Sequence, residues 1–242
     1  MGESNLKGLL QYHAAYYIRS FKGIPPISLF ILAIAVDYAY TPNPILDSYS
    51  FTSLVIFFVM GWITVTVFHA EDAGQKHITL LHAKSRITYY VSLYFICMVI
   101  GFLLSVAAVM YPIIVGAFGV PVTWVHLVMG LLAHFSLAVL SISLSIVFTR
   151  IFVKNGANTW WGVLSILLVS VVIASLKSKI LYLKGIIWLF PPVHLSLHIM
   201  GASDALESIP LALLLKFGWI FLYGLLWFWI ILMFVANKHR HV

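Results

Sequence analysis

Residues 51–68 read FTSLVIFFVMGWITVTVF, residues 69–86 read HAEDAGQKHITLLHAKSR, and residues 87–109 read ITYYVSLYFICMVIGFLLSVAAV. The two outer blocks, Phe51–Phe68 and Ile87–Val109, contain no Asp, Glu, Lys or Arg. Each approaches the ~20 apolar residues that a helix rising about 1.5 Å per residue needs to cross a hydrocarbon core. The middle block, His69 to Arg86, holds five of the chain's charged residues in 18 positions, although the chain has only 14 Lys and Arg and 7 Asp and Glu. The pattern predicts two membrane spans joined by a polar island. Polar chemistry concentrated in one loop of an otherwise apolar chain predicts contact with a soluble partner.

The rest of the chain extends this pattern. Of 242 residues, 62% are hydrophobic and 9% charged, and the mean hydropathy is +1.05. A soluble protein has too little polar surface in such a composition to stay in solution, so the chain is expected to be an all-α integral membrane protein. Six runs qualify or nearly qualify as spans: Ile24–Tyr40, Phe51–Phe68, Ile87–Val109, Trp124–Thr149, Trp160–Leu176 and Leu211–Ala236. No repeat, linker or low-complexity tract divides residues 1–242, which predicts one domain. No cleavable signal peptide is expected, and the first span itself serves for insertion. The single cysteine, Cys97, excludes an intramolecular disulfide.

The net charge of +7 reads as topology rather than as affinity for nucleic acid. With the N-terminus inside, Lys7, Arg19, Lys22, Lys76, Lys84, Arg86, Arg150, Lys154, Lys238 and Arg240 all fall on the cytoplasmic side. Lys177, Lys179 and Lys184 fall outside. The bias predicts a multi-pass protein of the cell membrane with both termini in the cytoplasm.

Before the first span, Leu6, Leu9, Leu10, Ala14, Tyr17 and Phe21 recur at helical spacing, with Lys7, Gln11, Arg19 and Lys22 mostly off that stripe. Residues 1–23 are therefore expected to lie as an interfacial elbow helix in contact with membrane lipids, or else to be a simple basic flank. Pro25 and Pro26 then turn the chain into the bilayer. Residues 177–210 form a long outer segment whose middle carries no charge. Pro191 and Pro192 remove two backbone donors there, so a re-entrant hairpin is expected before the last span in preference to a seventh span.

Several chemistries lack their residues. No GxxxxGK[ST], HExxH, GxSxG or CxxC occurs, so no catalytic, cofactor-binding or metal residue is assigned in this chain. His126 and His134 in the fourth span have no matching pair elsewhere for haem. His194 and His198 are four apart and share a helical face, either as a metal pair lacking a third ligand or as polar handles at an interface. Asp37 and Lys216 are the charges inside spans. They either snorkel to water or pair at an external gate, together with Pro191, Pro192, His194 and His198.

Within the island, Glu71 and Asp72 come first. Gly74 permits a turn, Leu80 and Leu81 form an apolar knob, and Lys84, Ser85 and Arg86 close it before Tyr89 and Tyr90. In this order it resembles the loop between the second and third spans of type-2 ABC transporter permeases. Glu71, Gly74, Leu80, Leu81, Ser85, Arg86 and Tyr90 carry the resemblance. The interfacial helix, six spans, internal termini and outer hairpin extend it over nearly the whole chain. Ala83 stands where the family often has proline, and the spacing from Gly74 to the leucines is shifted by one.

The resemblance implies a coupling helix at 69–86 that docks on a separate ABC ATPase subunit, present in two copies and holding ATP–Mg. Glu71, Asp72, Gly74, Leu80, Leu81 and Arg86 are the implied coupling residues. It also implies a second permease copy, most simply a homodimer, and export by alternating access. The apolar, aromatic-rich spans point to a hydrophobic or amphipathic cargo such as a cytotoxic or antimicrobial peptide. Phenol-soluble modulin and bacteriocin exporters have permeases of this size and style. An intramembrane metal-dependent enzyme and a non-transporting immunity or scaffold subunit are the alternatives.

Overall fold

Uncharged runs make long helices in this chain, and the breaks fall where proline, glycine or a polar cluster interrupts them. In a computed structural model, residues 3–83, 85–153, 155–176, 190–201, 204–206 and 208–237 are described. The helices in order are α1 (Glu3–Ser20), α2 (Ile24–Asp37), α3 (Ile45–Phe68), α4 (Ala73–Ala83), α5 (Arg86–Ile114), α6 (Trp124–Ile146), α7 (Gly156–Leu176), α8 (Val193–Met200) and α9 (Leu211–Asn237). Among the described residues there is no strand, and one isolated bridge joins Asn43 to Phe118.

Five of these helices, α3, α5, α6, α7 and α9, are long and apolar enough to cross a membrane. The 14-residue α2 qualifies only together with α1, from which it is bent by 74°, and the pair would make a sixth span. These lengths support a transmembrane helical architecture of five or six spans.

Several boundaries move. The second run starts at Ile45 rather than Phe51, so α3 takes six residues from the expected outer loop. The third run is a 29-residue helix that continues through Pro112 to Ile114. Its end is marked by Gly116 at φ 67°, a left-handed position that glycine fills without steric cost. The bend before α2 lies at Phe21–Gly23, with Phe21 at φ 55°, and the two prolines occupy the first turn of α2. Of the outer segment at 177–210, residues 177–189, 202, 203 and 207 lie outside the described residues, as do Lys84, Lys154, Lys238 and Arg240. In the described part, α8 packs against α3, α6, α7 and α9.

α3 and α6 form the centre. In each, 72% of the most apolar 18-residue stretch is buried, against 22% in α7 and 28% in α9. Close approach to α6 depends on small residues. A Cβ on Gly130 would sit 2.8 Å from the Tyr49 ring, and one on Gly224 would sit 3.5 Å from the Leu140 backbone.

Most polar atoms inside this core are paired, as a low-dielectric interior favours, although the Ser145 and Ser196 hydroxyls and the Trp227 indole N–H have no partner among the described residues. His134 is fully buried. Its Nδ1–H donates to the Gly130 carbonyl at 2.6 Å, and its Nε2 accepts from the Thr52 hydroxyl at 2.8 Å. Tyr49 donates to the Val109 carbonyl at 2.9 Å, and Tyr94 meets Ser143 at 3.1 Å. At one end the α2–α3 and α5–α6 connections are stapled. The Asn43 N–H donates to Ala117 at 2.9 Å, and the Gly119 N–H donates back to Asn43 at 3.2 Å.

Candidate functional site

The polar island folds as α4, carried between the end of α3 and the start of α5. Asp72 starts it: its Oδ1 accepts the Gln75 N–H at 2.8 Å, the N-cap arrangement that satisfies an otherwise free backbone donor. Ser85 does the same for α5, accepting from the Thr88 N–H. The next residue, Arg86, opens α5 and is exposed.

Glu71 turns inward and is 4% exposed. Its Oε1 accepts the Thr79 hydroxyl of α4 at 2.8 Å, and its Oε2 accepts the Tyr89 hydroxyl of α5 at 2.6 Å. Its carbonyl accepts from Arg150 Nη1, in the α6–α7 connection, at 3.1 Å. One residue thus ties α4 to α5 and to the end of α6. Both carboxylate oxygens are satisfied by hydroxyls, which makes a buried charge tolerable.

α1 closes the cluster from the side. Leu9, His13 and Tyr17, four residues apart, are buried. His13 Nδ1 meets Ser92 at 2.8 Å, Tyr17 meets Thr66 at 2.9 Å, and Gln75 Nε2 donates to Tyr12 at 2.9 Å. Lys22, at the α1–α2 bend, donates to the His69 and Ala70 carbonyls, each at 2.9 Å. These are end-of-helix acceptors of α3, where a cation also suits the helix dipole.

His69 Nε2 accepts the Arg150 N–H at 3.0 Å, so it must be unprotonated. Burial, then the charges of Arg150, Lys76 and Lys22, push its pKa down from 6.5 to about 4. A His held neutral in the folded state contributes stability that is complete above pH 6.5 and is lost as pH falls toward 4. Thermal unfolding between pH 7 and pH 4 should therefore show a falling midpoint, and His69→Gln should flatten that slope. An unchanged slope in the variant would remove His69 from this role.

The leucine pair divides because adjacent helical residues point about 100° apart. Leu81 is 68% exposed and, with Ile78 at 50%, forms the outward apolar pair of α4. Leu80 instead packs against the core. Gly74 is exposed on the first turn. A groove of about 290 Å³ runs beside this pair between α1 and α4, lined by Gly8, Leu9, Tyr12, Gln75, Ile78 and His82 among others.

The other expected positions lie elsewhere. Asp37 ends α2, and its buried Oδ2 has no hydrogen-bond partner among the described residues. Lys216 is half-buried in the second turn of α9. Pro191 and Pro192 are buried at the start of α8, while His194 is half-buried and His198 exposed on it. Among the described residues no group of three or more His, Cys, Asp and Glu is placed to hold a metal ion.

Asp204 has no signature in the local sequence. Placed between α8 and α9, it accepts the Ile45 N–H through Oδ2 and the Leu46 N–H through Oδ1, each at 2.9 Å. His126 Nδ1 accepts the Thr123 N–H, which leaves Nε2–H to donate to the Asp204 carbonyl at 3.0 Å. α3 begins after Pro44, which has no capping side chain. That uncapped start is the only trace of the arrangement in the sequence.

The described helices and this polar cluster define an all-α architecture compatible with a multi-pass membrane protein. Comparison with protein-family models, curated proteins and solved structures finds no match.

Proposed function

We propose that the chain is the membrane-spanning permease subunit of an ATP-driven ABC exporter in the cell membrane. The observation that carries this reading is α4. It is a helix of 11 residues set between two long apolar helices, rooted through Glu71 in α5 and the α6–α7 connection. Its outward face carries Ile78 and Leu81. A short helix fixed at its base and apolar at its tip is suited to transmit motion between a soluble body and the spans.

On this reading α4 is the coupling helix and two copies of a separate ATPase bind ATP–Mg beneath a permease pair, most simply a homodimer. ATP drives the switch only by binding one state of the assembly better than the other. α1 acts as the interfacial elbow, residues 177–210 form the re-entrant outer hairpin, and both termini are cytoplasmic. An apolar groove of about 350 Å³ lined by Leu29, Phe58, Trp62, Trp160 and Leu164 among others supports a hydrophobic or amphipathic cargo, such as a cytotoxic peptide.

The test is affinity purification from the native membrane followed by an ATPase assay. The wild-type chain should bring an ATPase subunit with it. Ile78→Asp with Leu81→Asp should weaken that recovery about 100-fold, since two large apolar side chains lose their burial. A folded chain that recovers no ATPase would overturn the reading.

A further inference from the structure

Beside Glu71 lies a pocket of about 440 Å³ lined by Asp72, Ala73, Lys76, His77, Leu80 and Arg150. Its surroundings carry a surplus of positive charge. Lys22, Lys76, Arg86 and Arg150 act together on this cluster. Against them stand two carboxylates, Glu71 and Asp72, whose oxygens are engaged by hydroxyls and a backbone N–H that leave their negative charge in place. Lys76 is half-buried, yet its ammonium donates to no oxygen among the described residues. It lies over the rings of Tyr90 and Tyr89, at 5.4 and 5.9 Å, within reach of the Glu71 charge. Arg150 has five N–H donors, and one, on Nη1, is used among the described residues. Burial and the charge of Arg150 hold the Lys76 pKa below its ordinary value, as a cation pressed against other cations requires.

The same connection that carries Arg150 also lines a second, wholly apolar groove. Val147 and Phe152 face Trp227, Ile230, Ile231 and Phe234 of α9 across about 210 Å³. Arg150 therefore stands in sequence between a cationic pocket and a greasy slot. Both adjoin the connection that follows the C-terminal end of α6.

We propose that this end of the bundle is a binding site for an anionic phospholipid, its phosphate held by Lys76, Arg150 and His77 and an acyl chain laid along Val147, Phe152, Ile230 and Phe234. Charge complementarity selects a headgroup of net negative charge, because a zwitterionic headgroup brings its own cation into a pocket already in surplus. The apolar groove selects a lipid over free phosphate. This inference requires the chain to span a membrane but does not depend on the permease reading.

The experiment is native mass spectrometry of the full chain released from nanodiscs of phosphatidylcholine alone or mixed with phosphatidylglycerol. Retained phosphatidylglycerol, in preference to phosphatidylcholine, is expected. Lys76→Gln should lower retention about tenfold, the loss of one charge-assisted contact. Phe234→Gln should lower it without any change in the pocket's charge. Circular dichroism identifies any variant that fails to fold, and Lys76→Gln removes no hydrogen bond among the described residues. Equal retention of the two lipids, or full retention by both folded variants, would overturn the proposal. So would stabilisation of the detergent-solubilised chain by inorganic phosphate to the same extent as by phosphatidylglycerol, which would assign the pocket to free phosphate.

Discussion

Replacing Glu71 with alanine should lower the unfolding free energy by about 4 kcal/mol, the largest effect expected of any polar substitution in this chain. The change strands the Tyr89 hydroxyl, which is 1% exposed, whereas the Thr79 hydroxyl can turn to the Gln75 carbonyl at 2.9 Å. It also leaves the cations Lys76 and Arg150 without the Glu71 charge beside them, and it cuts the tie between α4 and α5. Tyr89→Phe is the milder probe. It leaves Oε2 one donor short and should cost about 1–3 kcal/mol. The two substitutions share one bond, so their effects should be less than additive by at least ~1 kcal/mol in a double-mutant cycle. Denaturant unfolding in detergent measures all four proteins. Additive costs would mean that the 2.6 Å contact contributes little.

Asp204→Ala should cost about 2–4 kcal/mol, more than an ordinary cap. One carboxylate satisfies two adjacent N–H groups at the start of α3, where the dipole also favours negative charge. The local residue that could have done so is Pro44, which cannot. Asp204→Asn keeps one acceptor oxygen and should lose roughly half as much. Hydrogen exchange supplies an independent readout, because the Ile45 and Leu46 amides should lose protection in the alanine variant before the rest of α3 does. Unchanged protection at those two amides would show that α3 is capped by other means.

Where the sequence signal was local, it matched the structure. Runs such as 124–149 and 211–236 carry their own apolar length, and α6 and α9 lie within two or three residues of the expected bounds. α3 starts six residues before the uncharged run, because polar Asp47 and Ser48 lie in its first turn and interrupt the apolar pattern there. The island was legible as a short helix, but its faces were not. Nothing in the order Leu80–Leu81 tells which leucine turns inward, since that depends on how α4 leans on the core. Glu71 has the same character. Its partners stand 8 and 18 residues away, at no spacing that local periodicity reports. Asp204 is the extreme case, an ordinary loop acid until the fold brings it to the other end of the chain.

That distance has a consequence in time. The donors capped by Asp204 are made 159 and 158 residues before it. At ~5–20 residues per second, synthesis leaves the head of α3 uncapped for roughly 8 to 30 s after Ile45 is joined. Through that interval the helix at the centre of the bundle has only water or lipid headgroups for its first amides. A late step of translation therefore closes a much earlier part of the core, and a chain truncated before residue 204 would carry a central helix whose first amides lack this cap.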